Sequence, residues 1–121
     1  MQVMNDIQAE ELLLTSTSWD GSLLPEYGSG QPEVEVVKIV VPPSGQVSLH
    51  THPVINAGII LSGELVFQSE DGRKEVHLLE GEAYADVVNQ WHKGFNPGHR
   101  PTVILIFHAG LKGKPLAIKQ S

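Results

Sequence analysis

There is no cysteine among the 121 residues. That removes disulfides, thiolate metal sites and cysteine nucleophiles together, and it fits a reducing compartment. Bases are also scarce, 8 against 14 acids, for a formal net charge of −6 and a pI near 5.4. A surface of that sign repels phosphate backbones, and no basic run interleaved with aromatics offsets it, so nucleic acid is not an expected partner. No apolar stretch approaches the roughly 18 residues of a membrane span, so no membrane partner is expected either. Where a signal peptide carries bases this N-terminus carries Asp6, Glu10 and Glu11, and Leu12-Leu13-Leu14 is too short for its apolar stretch. The expectation is a cytoplasmic protein.

Helical periodicity is missing as well. Turn signals divide the chain into about eight to ten short strands instead. Glu11–Ser18 could form one, closed by a turn at Trp19-Asp20-Gly21; Leu23–Pro32, with two prolines and two glycines, reads as an irregular connection. Glu33–Val41 begins in strict polar/apolar alternation and ends apolar on both faces, a strand that runs from a wet edge into a core. Further strands are expected over Val47–His52, Ala57–Leu61, Glu64–Ser69, Arg73–Leu79, Tyr84–Val88, Gln90–Phe95 and Val103–His108. The pattern predicts an all-β sandwich or small barrel in one domain, wide enough to hold one small ligand.

What is there in quantity is histidine in a particular arrangement. His50 and His52 alternate on a strand, so they share a face roughly 6.6 Å apart, and His92 follows from a second strand. A lone strand histidine is usually a surface or hydrogen-bonded core residue. Three in this arrangement favour a divalent ion such as Fe2+, Ni2+, Zn2+ or Mn2+, among which imidazole ligands alone do not choose. Strand alternation puts Gln46 and Ser48 on the histidine face, Gly58 and Ile60 on the face of Asn56, and Gln90 with His92. These five residues are the expected substrate pocket, with Gly58 leaving space beside the site. His108, on the last strong strand, is the candidate catalytic base or reserve ligand. Tyr84, Phe67, Phe107 and Trp91 read as core, His77 and His99 as surface.

The motifs Gly45-x4-His50-x-His52-x3-Asn56-x6-Gly63 and Gly81-x5-Val87-x-Asn89-x2-His92-x3-Asn96 resemble those of the cupins. The resemblance implies a small single-domain cupin over residues 1–121: an arm and edge strand over 1–32, a barrel core over 33–110 and a tail over 111–121. Its fold would be the antiparallel cupin barrel, also called a double-stranded β-helix or jelly roll, with His50, His52 and His92 as metal ligands. Three departures stand out. The first spacer is one residue short, and Val87 and Asn89 replace a proline and a glycine. Most consequential, Asn56 stands where cupins usually carry a glutamate ligand.

Asn56 can ligate weakly or hold a water, but it brings no charge. Three neutral imidazoles leave the full +2 on an ion, and a missing unit charge at about 4 Å is worth on the order of 4 kcal/mol. A site of that kind favours a small chelating or anionic organic molecule and is similar to the three-histidine Fe(II) dioxygenases of the family. Of the acids that could replace the glutamate, Glu64 is the least suited. Glu82 and Asp86 precede His92 on a strand whose facing stays open. The alternatives to a dioxygenase-like metalloenzyme are a non-catalytic small-molecule-binding cupin and a metal-dependent isomerase of an oxygenated substrate. Apolar residues on both faces of Glu33–Val41 call for an outer cover, and since cupins commonly dimerise, a homodimer is expected.

Overall fold

The computed structural model describes residues 6–120. It contains nine strands in two antiparallel sheets, and no helix among the described residues. In chain order the strands are β1 (Pro32–Val41), β2 (Gln46–Thr51), β3 (Ile55–Ser62), β4 (Glu64–Ser69), β5 (Glu75–Leu79), β6 (Ala83–Ala85), β7 (His92–Phe95), β8 (Thr102–Leu111) and β9 (Ile118–Lys119). One sheet runs β1-β8-β3-β6 and the other β5-β4-β7-β2-β9. This is an all-β fold of two antiparallel sheets. Val41, Ile60, Leu65, Phe67, Leu78, Tyr84 and Ile104 fill the space between the sheets, because period-two alternation sends one side of each strand inward.

Register across the first sheet fixes what each face carries. Val37 pairs with Ile106 and Ile106 with Gly58, while Ile39 pairs with Ile104 and Ile104 with Ile60; these are inward rows. One step along, Glu35 pairs with His108 and His108 with Asn56, a polar row on the same inner face. The alternate rows look outward: Val36 with Phe107 and Ala57, Lys38 with Leu105 and Ile59.

Three expectations need correction. Glu11–Ser18 is not a strand: Thr17 makes a single bridge to Leu23, and no strand precedes β1 among the described residues. The strands expected over Tyr84–Val88 and Gln90–Phe95 are shorter, since Asp86 to Trp91 form an irregular corner between β6 and β7. The stretch read as a tail carries a short strand of its own. Ile118 and Lys119 pair with Thr51 and His50, closing the second sheet beside the histidines.

The two altered motif turns keep their shape by other means. Asn89, where the family motif has glycine, takes the left-handed conformation itself at φ 58°, and its N–H donates to the His52 carbonyl at 2.8 Å. Just before the shortened spacer Ser44 also turns left-handed, at φ 62°, and the Gly45 N–H closes the turn on the Pro42 carbonyl. Asn96 is fully buried and donates through Nδ2 to the Val41, Pro42 and Arg100 carbonyls, tying the end of β1 to the β7–β8 turn.

Candidate metal centre

β2 carries His50, the residue just past its end is His52, and β7 brings His92 alongside: His50 and His92 are register partners. One ring nitrogen from each of the three lies within 4.8 Å of the others. His92 is fully buried, His52 nearly so, and His50 sits part-exposed at the rim.

The orientation of each ring is set from behind. His50 Nδ1 lies 2.8 Å from the Ser48 carbonyl, His52 Nδ1 3.0 Å from that of Leu116, and His92 Nδ1 3.0 Å from that of Gln90. A carbonyl only accepts, so each Nδ1 is the protonated nitrogen and each neutral ring presents a bare Nε2 lone pair. The His50 and His52 Nε2 atoms stand 3.1 Å apart. Two lone pairs at that separation repel unless a cation lies between them. Donors about 2.1 Å from one ion are about 3.0 Å apart at right angles and about 3.4 Å apart in a tetrahedron. The donor set therefore fits a divalent ion.

A carboxylate stands beside two of these imidazoles, outside the group of three. Asp86 Oδ2 lies 3.3 Å from His52 Nε2 and 3.2 Å from His92 Nε2. His92 Nε2 nonetheless has no hydrogen-bond partner, because the two groups are close without being aligned for one. Burial alone would push the Asp86 carboxyl up, but His52 and His92 outweigh it and hold it well below the usual carboxylate range. Burial likewise lowers His92, and Asp86 more than reverses that, leaving His92 raised. His50 is pushed down to about 4, mainly by burial. A carboxylate therefore stands beside the imidazoles although Asn56 brings no charge of its own.

Asn56 itself is buried and faces the inside of β3, and neither of its side-chain polar atoms has a partner. His108 lies beside the cluster, its ring centroid 5.5 Å from that of His52, and its Nδ1 is 3.2 Å from Glu35 Oε1. Burial and then the neighbouring His52 lower its pKa.

A cavity of about 560 Å³ opens onto the cluster, in the range that takes a small organic molecule. Gln46 and Ser48 line it, with His50, His52, Tyr84, Asp86 and His108. Gly58, Ile60 and Gln90 do not border it. Ile60 is wholly in the core, Gln90 is exposed and reaches Ser22, and the space beside Gly58 is taken by the Tyr84 ring. Tyr84 is buried with its hydroxyl unpartnered, and burial raises its pKa, so the phenol keeps its proton. A second depression of about 390 Å³, over Tyr27, Gly28 and Leu111, carries no imidazole.

Two contributors were not foreseen from sequence. Trp19 packs its ring on Phe67 and edge-on to His92, and donates Nε1–H to Asp86 Oδ1 at 2.8 Å. The Leu116 carbonyl fixes His52 from a stretch assigned to the tail.

Known structures share this architecture. An uncharacterised protein with a double-stranded β-helix domain from Klebsiella pneumoniae is 23% identical, with a TM-score of 0.60 over 78% of this chain and 90% of that one. An oxalate oxidase in complex with glycolate is 20% identical, with a TM-score of 0.60 over 71% of this chain and 45% of that one. A DMSP lyase from Ruegeria pomeroyi is 23% identical, with a TM-score of 0.57 over 76% of this chain and 44% of that one. The chain thus spans less than half the length of both enzymes, and likeness at this identity shows the fold alone. No curated protein matches it in sequence. The family model described as "Cupin domain" matches residues 37–108, from within β1 to His108 and across both histidine motifs. By that match, and by the two sheets that bring His50, His52 and His92 together, the chain belongs to the cupin family.

Proposed function

We propose that His50, His52 and His92 hold a divalent transition-metal ion that binds a small anionic chelating molecule, and that the chain acts on it as an enzyme. The observation that carries this reading is the set of Nε2 lone pairs turned toward one another, each ring locked from behind by a backbone carbonyl. Carbonyl-locked imidazoles of this kind are what metal sites use to fix tautomer and direction. A bound ion would polarise the oxygens of a chelating substrate as a Lewis acid.

The remaining work falls to side chains of the cavity. His108 has Nδ1 toward Glu35 and Nε2 free, and its lowered pKa keeps it neutral, so Nε2 takes a proton from the chelated molecule. The Tyr84 hydroxyl donates a hydrogen bond to an oxygen of that molecule, and the barrel wall excludes water. Deprotonation of a chelate precedes either oxidative cleavage of a diketone-like compound by a ferrous dioxygenase or return of the proton at another atom by an isomerase. The unpartnered His108 and Tyr84 favour including the second route.

Metal content of the purified protein and of His92→Ala is the first test. Oxygen uptake by the ferrous protein, set against deuterium incorporation without uptake, then separates the two chemistries. A chelating ligand that co-purifies unchanged and shows neither would leave only a binding protein. The outer face of β1, β8 and β3 is, on the same reading, the contact for a second copy of the chain.

A further inference from the structure

The carboxylate of Asp86 is placed as a ligand is placed. It lies just past the end of β6, and its N–H donates to the Asn56 carbonyl at 3.0 Å, so it sits across from Asn56 on the neighbouring strand. Its two oxygens have different surroundings. Oδ1 accepts from Trp19 Nε1 and from the Val87 N–H, both at 2.8 Å. Oδ2 accepts no hydrogen bond and is turned to the imidazoles, 3.2 Å from His92 Nε2 and 3.3 Å from His52 Nε2. Those separations match the 3.1 Å between the His50 and His52 nitrogens. Three of the separations among these donors, one between imidazoles and two from Asp86 to His52 and His92, thus fall between 3.1 and 3.3 Å.

We propose that Asp86 is the fourth and only charged protein ligand of the ion, taking over from one strand away the role that Asn56 cannot fill. Trp19 is its positioning residue, holding Oδ1 so that Oδ2 stays directed at the ion. This rests on the metal reading above. It also narrows the ligand class: one carboxylate leaves a net +1 on a divalent ion, which a monoanion neutralises and a dianion would overcharge.

Cobalt(II) titration, followed by visible absorption and by equilibrium dialysis, tests this without any turnover. The wild-type protein should bind one ion per chain, and His92→Ala should abolish binding. Asp86→Asn should weaken binding at least 100-fold and change the d–d bands, since a charged donor is lost. Trp19→Phe keeps the ring stack and loses only the N–H; it should weaken binding by about 10- to 100-fold with the bands kept. If Asp86→Asn binds cobalt within threefold of wild type with the same spectrum, Asp86 is only an ion-pair partner of the imidazoles and the proposal fails while the metal site stands. If neither wild type nor variant binds, the metal reading fails first and takes this proposal with it. Should Asp86→Asn not fold, infrared difference spectra of 13C-aspartate-labelled wild type decide. One carboxylate band must shift on metal addition, and an unchanged spectrum overturns the assignment.

Discussion

The phenol of Tyr84 lies over the Cα of Gly58, its register partner on β3, so closely that a Cβ on residue 58 would stand 2.6 Å from the hydroxyl and 2.8 Å from Cε1. The glycine therefore makes room for a ring, not for a ligand. Phe67 holds the other side of that ring at a centroid distance of 5.0 Å, so Tyr84 cannot simply slide along the core.

Gly58→Ala should accordingly destabilise the fold by about 1–3 kcal/mol, the range for overpacking a filled interior. The displaced phenol would be driven toward the cavity it lines, so ligand affinity should fall as well. Thermal melting together with ligand titration checks both; an unchanged melting temperature would mean that the ring yields freely.

Asn56 and His108 face each other across β3 and β8, both buried. The Asn56 amide has no protein partner at either end. Burying an unpaired amide costs about 1–3 kcal/mol, and an apolar side chain of the same shape avoids that cost. Asn56→Leu is therefore expected to leave stability unchanged or raise it, as melting curves of the two proteins would show. A melting temperature several degrees lower would instead give Asn56 a structural duty.

Much of this was legible before the fold was known, because period-two alternation is a local property. It predicted every strand but β9 and put His50 beside His52; two glycine-flanked motifs added His92. What escaped depends on pairing between distant strands. Whether Asp86 or Glu82 faced the site could not be read until β6 was in register with β3 and Asn56 was across from Asp86. Trp19 looked like part of a turn, since nothing local says that its indole reaches residue 86. The same holds for the tail, whose Leu116 carbonyl acquires its purpose only when β9 pairs with β2.

The metal-free protein should be most stable near pH 6.5, for two opposed reasons. His50 is pushed down to about 4 by burial, so the unfolded chain takes up a proton that the folded chain refuses; its stabilisation is present above the ordinary value of about 6.5 and is lost as pH falls toward 4. His92, depressed by burial but raised more by Asp86, contributes in full below about 6.5 and loses that contribution as pH rises through its folded pKa. His108, lowered like His50, adds to the acid limb. Melting curves in chelator from pH 4 to 9 should show a maximum, and His50→Gln should flatten the acid limb without touching the alkaline one. An acid limb as steep in the variant as in wild type would place the responsible proton elsewhere.

The last expectation concerns the outside of the β1-β8-β3-β6 sheet. Val34, Val36 and Val40 of β1 and Leu105 and Phe107 of β8 are all exposed, Val36 by 64% and Phe107 by 44%. Ala57 and Ile59 of β3 continue the surface, and in these rows Lys38 is the one charged residue. An apolar sheet face of this extent left in water is a liability to aggregation, and a second copy packed on it about a two-fold axis removes that liability with a closed contact. Light scattering on the eluting protein should give twice the chain mass. Phe107→Glu, which points away from the histidines, should give a monomer that keeps its metal. A wild-type monomer at micromolar concentration would leave the face without a partner copy, and a variant that lost metal along with its partner would tie the site to the assembly.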